Sequence, residues 1–212
     1  MTSQVDAGLY RWVVTLTHHA PQPLNDTVKF FSDFGLGLFA VLMLIAWWRA
    51  RPADSARMAA ALSVPLIVVA VYLVNDLVKS GVDETRPCRT LHTVTLEACP
   101  GPSDWSFPSN HSAIAAAAAV ALLFASRRIG WYALALALLM GASRVWIGVH
   151  YPHDVLVGLV LGALVAWPLA LAAPRLAPVV ERLRGTRLLG PALLAPGPQE
   201  NGSRGATTAP QP

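Results

Sequence analysis

The chain is poor in charge. Asp, Glu, Lys and Arg make up 13% of its 212 residues, about half of the roughly 25% usual in a soluble domain. So few charges cannot clothe an ordinary water-facing surface. Cysteine is scarcer still, and two residues cannot serve as the scaffold of a chain this long. There is no carboxylate cluster, no His-Glu-x-x-His pattern and no cysteine pair at zinc spacing, so the chemistry calls for no metal and no cofactor. A basic helix face is also missing. The net charge of +4 comes from sixteen basic residues set in small groups, which argues against nucleic acid as a partner.

Apolar residues fill the space that charge leaves: 54% of the chain, with a mean hydropathy of +0.48. They run in five stretches, at 35–48, 58–74, 113–125, 129–142 and 155–173. Only the last reaches about 19 residues alone, but each of the others lengthens at one end to the roughly 20 needed to cross a bilayer. None alternates as a strand would. Helices satisfy their own backbone polar groups in lipid, so the expected fold is all-α, an integral membrane bundle of about five transmembrane helices.

Basic residues between the stretches set the orientation. Arg49, Arg51 and Arg57, then Arg127 and Arg128, then Arg175, Arg182, Arg184, Arg187 and Arg204 fall on one side, which is expected to be cytoplasmic. Arg11, Lys29, Lys79, Arg86, Arg89 and Arg144 fall on the other. Residues 1–23 read as a segment lying at the outer interface with Tyr10 and Trp12 as lipid anchors. Residues 24–177 hold the five stretches and are expected to form one transmembrane domain. Residues 178–212, Gly- and Pro-rich from 185 onward, are expected to be a disordered cytoplasmic tail.

Three polar clusters stand at span ends on the second face. Lys79 and Arg86 are seven residues apart, two helical turns, before Pro87 stops the helix. Ser109, Asn110 and His111 open the third span, where free N–H groups at a helix N-terminus favour an anion. Arg144, His150 and Asp154 bridge the fourth and fifth spans, with the last two at i, i+4. Three cations, a hydroxyl and a helix N-terminus describe a phosphate pocket, and two histidines supply a nucleophile and a proton donor. A charge near the bilayer interior costs on the order of 2.5 kcal/mol or more to insert, so Arg144 needs a function. His153 reads as a bystander, and Asp83, Glu84 and Glu97 as solvated loop charge. Cys88 and Cys99 share a loop that the topology puts outside, where a disulfide closing about a dozen residues would add roughly 3 kcal/mol.

The ordered set Lys79-(six residues)-Arg86-Pro87, Pro108-Ser109-Asn110-His111 and Ser143-Arg144-(five residues)-His150-(three residues)-Asp154 resembles the three signatures of the type 2 phosphatidic acid phosphatase (PAP2) superfamily. The likeness spans about residues 24–173, and the short chain is similar to bacterial undecaprenyl-diphosphatases of the bacitracin-resistance type. One position departs: Asn110 stands where the second signature usually has glycine, and asparagine tolerates the left-handed backbone such a glycine would adopt. The resemblance implies that His150 is the nucleophile, Asp154 orients it, and His111 protonates the leaving phosphate and then activates water. Lys79, Arg86, Ser109, Asn110 and Arg144 would hold the phosphoryl group. It further implies an extracytoplasmic site acting on undecaprenyl diphosphate, with a polyprenyl or phospholipid phosphate and membrane lipids as partners. Phosphatidylglycerophosphate, phosphatidic acid or another prenyl diphosphate are the alternative substrates. A transporter using the same cations is the rival from a different class, disfavoured by the small number of spans.

Overall fold

The structure is a computed structural model and describes residues 6–194. Ten α-helices follow in order: α1 (Ala7–His19), α2 (Gln22–Phe34), α3 (Leu36–Ala50), α4 (Ser55–Val82), α5 (Pro87–Thr90), α6 (Asn110–Ala125), α7 (Arg127–Trp146), α8 (Pro152–Ala172), α9 (Ala177–Arg184) and α10 (Gly190–Leu193), with a 3₁₀ turn (Ala173–Leu176) before α9. No strand occurs among the described residues. Local chemistry explains the boundaries. Asp54 caps α4 by accepting from the Arg57 amide at 2.7 Å, and Asp83 ends it in the left-handed conformation at φ 52°. Pro87 opens α5 and Pro152 opens α8, where a missing N–H costs nothing.

Helices α4, α7 and α8 are each long and apolar enough to cross a membrane. Helices α2 and α3, bent by 55° at Gly35, reach that length and apolarity only together, which makes a fourth crossing if the bent pair is one span. The expected fifth span is α6, which has only 16 residues, about 24 Å of helix against a hydrocarbon core near 30 Å. Eleven of those 16 are buried, because α6 runs down the middle of the bundle against α3, α4, α7 and α8. Its neighbours, not lipid, surround it, so its own length is not what spans the bilayer. Alanines at 113, 115–119 and 121 keep the axis slim, as suits helix association in lipid, where close van der Waals packing replaces the hydrophobic effect.

Two expectations about the chain ends change. Trp12 is exposed as a lipid anchor would be, but Tyr10 is fully buried. Its hydroxyl donates to the Gly148 carbonyl and meets Thr93 Oγ1, each at 2.8 Å, and its ring packs on Tyr151. The tail is not disordered through residue 194. Val180 and Leu193 join the core, Arg184 donates to the Ala53 carbonyl at 2.9 Å and Arg51 to the Leu194 carbonyl at 2.7 Å, so arginines counted for topology also staple α9 and α10 to the bundle. The rest of the expected tail lies outside the described residues.

Candidate active site

Lys79 sits in the last turn of α4, Arg86 just before α5, Asn110 and His111 in the first turn of α6, Arg144 in the last turn of α7, and His150 in the turn before α8. All six line one cavity of about 360 Å³. Alternating helix directions bring these three sequence clusters to one end of the bundle. The basic loops lie at the other, since α4 begins beside Arg57 and ends beside Lys79, 22 residues or about 33 Å away.

Arg86 organises the floor. Its Nε and Nη2 donate to the carbonyl and Oδ1 of Asp104, both at 2.8 Å, and Nη1 donates to the Val149 carbonyl at 3.0 Å. The same Nη1 lies 3.2 Å from Nε2 of His150. A guanidinium can only donate, so Nε2 must present its lone pair and the ring proton belongs on Nδ1. Nδ1 in turn faces Asp154 Oδ2 at 3.4 Å. The tautomer assigned by this network is the one a nucleophilic Nε2 requires. Burial pushes His150 down to about 4, and the Asp154 hydrogen bond offsets this only in part. The imidazole is therefore neutral at physiological pH.

Asp154 is fully buried. Its Oδ2 also accepts from the Tyr151 amide at 2.8 Å and from the Ser106 hydroxyl, so the carboxylate caps α8 while it faces the histidine. Its carbonyl accepts from the Ser109 amide at 3.1 Å, which ties the second cluster to the third. Ser109 itself is buried behind the wall. Its hydroxyl accepts from the Ser112 amide, the N-cap of α6, and it does not line the cavity.

Asn110 is not in a left-handed conformation; it is the first helical residue of α6. Its side-chain oxygen accepts from Asn75 of α4, so a glycine here would lose a link between two spans. Arg144 donates to Ser32 Oγ of α2 at 2.8 Å, and its Nη1 lies 3.8 Å from Glu97.

Two acidic residues in the cavity were not anticipated. Glu97, expected in solvent, faces Arg144, and Asp104 bridges Arg86 and lies 3.9 Å from Lys79. Burial alone would raise Asp104, but the hydrogen bond and charge of Arg86, with Lys79 beside it, hold it below the usual carboxylate value. Both belong to the loop that the Cys88–Cys99 disulfide closes or to its continuation. Their carboxylates stand where cations would otherwise face each other unpaired. Asp104 adjoins Trp105 and the second signature, but nothing in its local sequence distinguishes it from loop charge. As for metals, Glu84, His153 and Asp154 bring one potential ligand atom each within 4.8 Å of one another. Both nitrogens of that imidazole already face carboxylates, so a cation there would have to displace a proton.

A model of the PAP2 superfamily matches residues 60–177, more than half of the chain and every residue of the cavity. The chain belongs to the PAP2 superfamily. It is similar to the undecaprenyl-diphosphatase BcrC of Bacillus subtilis, with 30% identity over 75% of this chain and 79% of that one. It is also similar to an undecaprenyl-diphosphatase of Sulfolobus acidocaldarius, with 30% identity over 68% of each. Among solved structures, a transmembrane PAP2-type phosphatidylglycerolphosphate phosphatase from Bacillus subtilis shares the fold, with a TM-score of 0.59 and 24% identity over 78% of this chain and 82% of that one. This PAP2 protein is therefore an integral membrane phosphatase acting on a lipid phosphate.

Proposed function

We propose that the protein hydrolyses undecaprenyl diphosphate to undecaprenyl phosphate and inorganic phosphate through a phosphohistidine on His150. The observation that carries the mechanism is the Arg86–His150–Asp154 relay, which turns the Nε2 lone pair toward the cations. Nε2 attacks the terminal phosphorus, the N–P bond forms as the bridging P–O bond breaks, and His111 gives its proton to the departing undecaprenyl phosphate. His111 then takes a proton from water, whose oxygen attacks the phosphohistidine. Inorganic phosphate leaves and His150 returns to its starting tautomer. Lys79, Arg86 and Arg144 stabilise the charge that spreads over the equatorial oxygens, and Asn110 and the α6 N-terminus add donors. Arg86 exchanges Asp104 and Nε2 for phosphate oxygens as substrate enters.

Substrate choice is supported by the relatives named undecaprenyl-diphosphatase. Such an activity would recycle the cell-wall lipid carrier and confer bacitracin resistance. The distribution of arginines and the disulfide in the 88–99 loop favour a site on the extracytoplasmic face, with residues after α8 in the cytoplasm. We place the catalytic domain at residues 24–177, with α1 docked on it.

The test is phosphate release by detergent-purified protein from undecaprenyl diphosphate, phosphatidylglycerophosphate and phosphatidic acid, each with EDTA present. The proposal expects undecaprenyl diphosphate to have the highest kcat/KM, the chelator to be without effect, and His150→Ala and His111→Ala to be inactive yet folded. Activity in the His150 variant would remove the mechanism. A higher kcat/KM for phosphatidylglycerophosphate would reassign the substrate.

A further inference from the structure

His153 lies three residues past the proposed nucleophile, in a setting far from that of a bystander. Its amide donates to Asp6 Oδ2 at 2.7 Å, and its Nδ1 lies 3.0 Å from Asp6 Oδ1. Its Nε2 faces Glu84 Oε2 at 3.2 Å and Asp154 Oδ1 at 3.3 Å. A neutral imidazole keeps a lone pair on one nitrogen, and a lone pair turned on a carboxylate is repelled. With carboxylates at both nitrogens, both must carry hydrogen, so the ring is an imidazolium. Tyr151 stacks on it, with centroids 5.3 Å and planes 18° apart, and Phe107 lies 5.9 Å away.

The two oxygens of Asp154 are thereby divided. Oδ2 meets His150, Ser106 and the Tyr151 amide, whereas Oδ1 makes no hydrogen bond and is in ion-pair contact with His153. We propose that His153 is a positioning residue for catalysis: clamped as an imidazolium by Asp6 and Glu84, it holds Oδ1 of Asp154 by charge so that Oδ2 stays on Nδ1 of His150. This rests on His150 being the nucleophile. Without the cation, Asp154 is a buried carboxylate close to Glu84. It would turn away or take a proton, and a protonated Asp154 no longer fixes the His150 tautomer. Asp6 immediately precedes α1, so the N-terminal helix becomes part of the catalytic apparatus, a role that Tyr10 on the Gly148 carbonyl reinforces.

The experiment measures kcat and KM for release of phosphate from a polyprenyl diphosphate by full-length His153→Gln, Asp6→Asn and the double variant, alongside their melting in detergent. Loss of an outer partner that orients a metal ligand lowers activity by about 10- to 100-fold, and an ion-pair partner that orients the carboxylate behind a nucleophile is taken on the same scale. That loss is expected in kcat for His153→Gln, with KM within about threefold of the parent, because Asp154 does not touch phosphate. Asp6 acts through the same ring, so the double variant should be no slower than His153→Gln. Folded His153→Gln with parental kcat, a rise in KM in place of the fall in kcat, or additive losses would overturn the proposal. If His153→Gln does not fold, Asp6→Asn decides alone: a several-fold fall in kcat at constant KM supports it, and parental kcat overturns it. Activity retained in His150→Ala would overturn both this inference and the proposed nucleophile, whereas activity lost there and kept in His153→Gln overturns this inference alone.

Discussion

Replacing Gly158 by alanine tests how closely the two halves of the site are held together. Helix α8 crosses α6 where Gly158 and Gly162 stand about one turn apart. A Cβ at 158 would lie 2.6 Å from the Ser109 carbonyl oxygen and 3.1 Å from Ser112 Cβ, and one at 162 would lie 2.3 Å from the Ala113 carbonyl oxygen. A backbone carbonyl inside a helix cannot swing aside, so the helices must part. Ordinary contact begins at 3.4 Å, and 3.4 − 2.6 leaves about 0.8 Å of movement at position 158. The shift falls on the N-terminal turn of α6, which carries Ser109, Asn110 and His111, and it strains the 3.1 Å bond from the Ser109 amide to the Asp154 carbonyl. Overpacking of this kind costs about 1–3 kcal/mol, and misplacing a catalytic group by about 1 Å costs on the order of 10²-fold in rate. Gly158→Ala should therefore release phosphate roughly 30- to 100-fold more slowly in detergent, melt at a lower temperature and keep its helical circular dichroism. Gly81→Ala, where nothing lies within 4 Å of the added carbon, is the control and should keep the parental rate. A Gly158→Ala enzyme with kcat within about threefold of the parent would refute the claim that this crossing positions His111 against His150.

Three further outcomes follow from the cavity. Asp104→Asn removes the carboxylate that occupies Arg86 and Lys79; since its side chain is 53% exposed, the gain in phosphate affinity should be modest, about two- to fivefold in the inhibition constant for inorganic phosphate, and weaker inhibition would contradict the counter-ion role. Cys88→Ser opens a loop of sequence separation 11 and should cost about 3 kcal/mol in the chain-entropy view, read as a lower melting temperature that reductant no longer changes. The melting temperature should also fall between pH 6.5 and pH 4 in part through His150. Because its folded value lies below the ordinary 6.5, its neutral burial is fully tolerated above pH 6.5 and opposes folding as pH drops toward 4. The fall should be smaller in His150→Ala, and equal slopes would show that another group carries it.

The sequence was most legible where one residue type has one physical use. Uninterrupted apolar stretches located α3, α4, α6, α7 and α8, and three ordered polar motifs located six of the cavity-lining groups. It misled where a residue had two uses. Tyr10 looked like an interfacial aromatic, but a phenol can as readily be buried if its hydroxyl finds acceptors, and Gly148 and Thr93 provide them. Ser109 belongs to a phosphate-binding signature yet spends its hydroxyl capping α6. Glu84 and Glu97 looked like solvated charge and His153 like a bystander because Glu97 meets Arg144, 47 residues on, and His153 meets Glu84 and Asp6, 69 and 147 residues back. The Gly158-x-x-x-Gly162 spacing was the one overlooked local signal, since glycines at i, i+4 in an apolar helix mark a close crossing.

Composition alone decided the solvent of this protein: too few charges for water, enough apolar length for lipid, and arginines biased to one side. Motif chemistry decided the reaction class, because fixed cations with two histidines suit phosphoryl transfer. Only the tertiary structure decided the state of those groups. The proton on His150 is placed by Arg86 from one cluster and Asp154 from another, the cations are paired by a loop the motifs do not include, and the His153 ring beside Asp154 is held by Asp6 from the N-terminus. Protonation and orientation depend on neighbours within a few ångströms, and in this bundle those neighbours come from different helices.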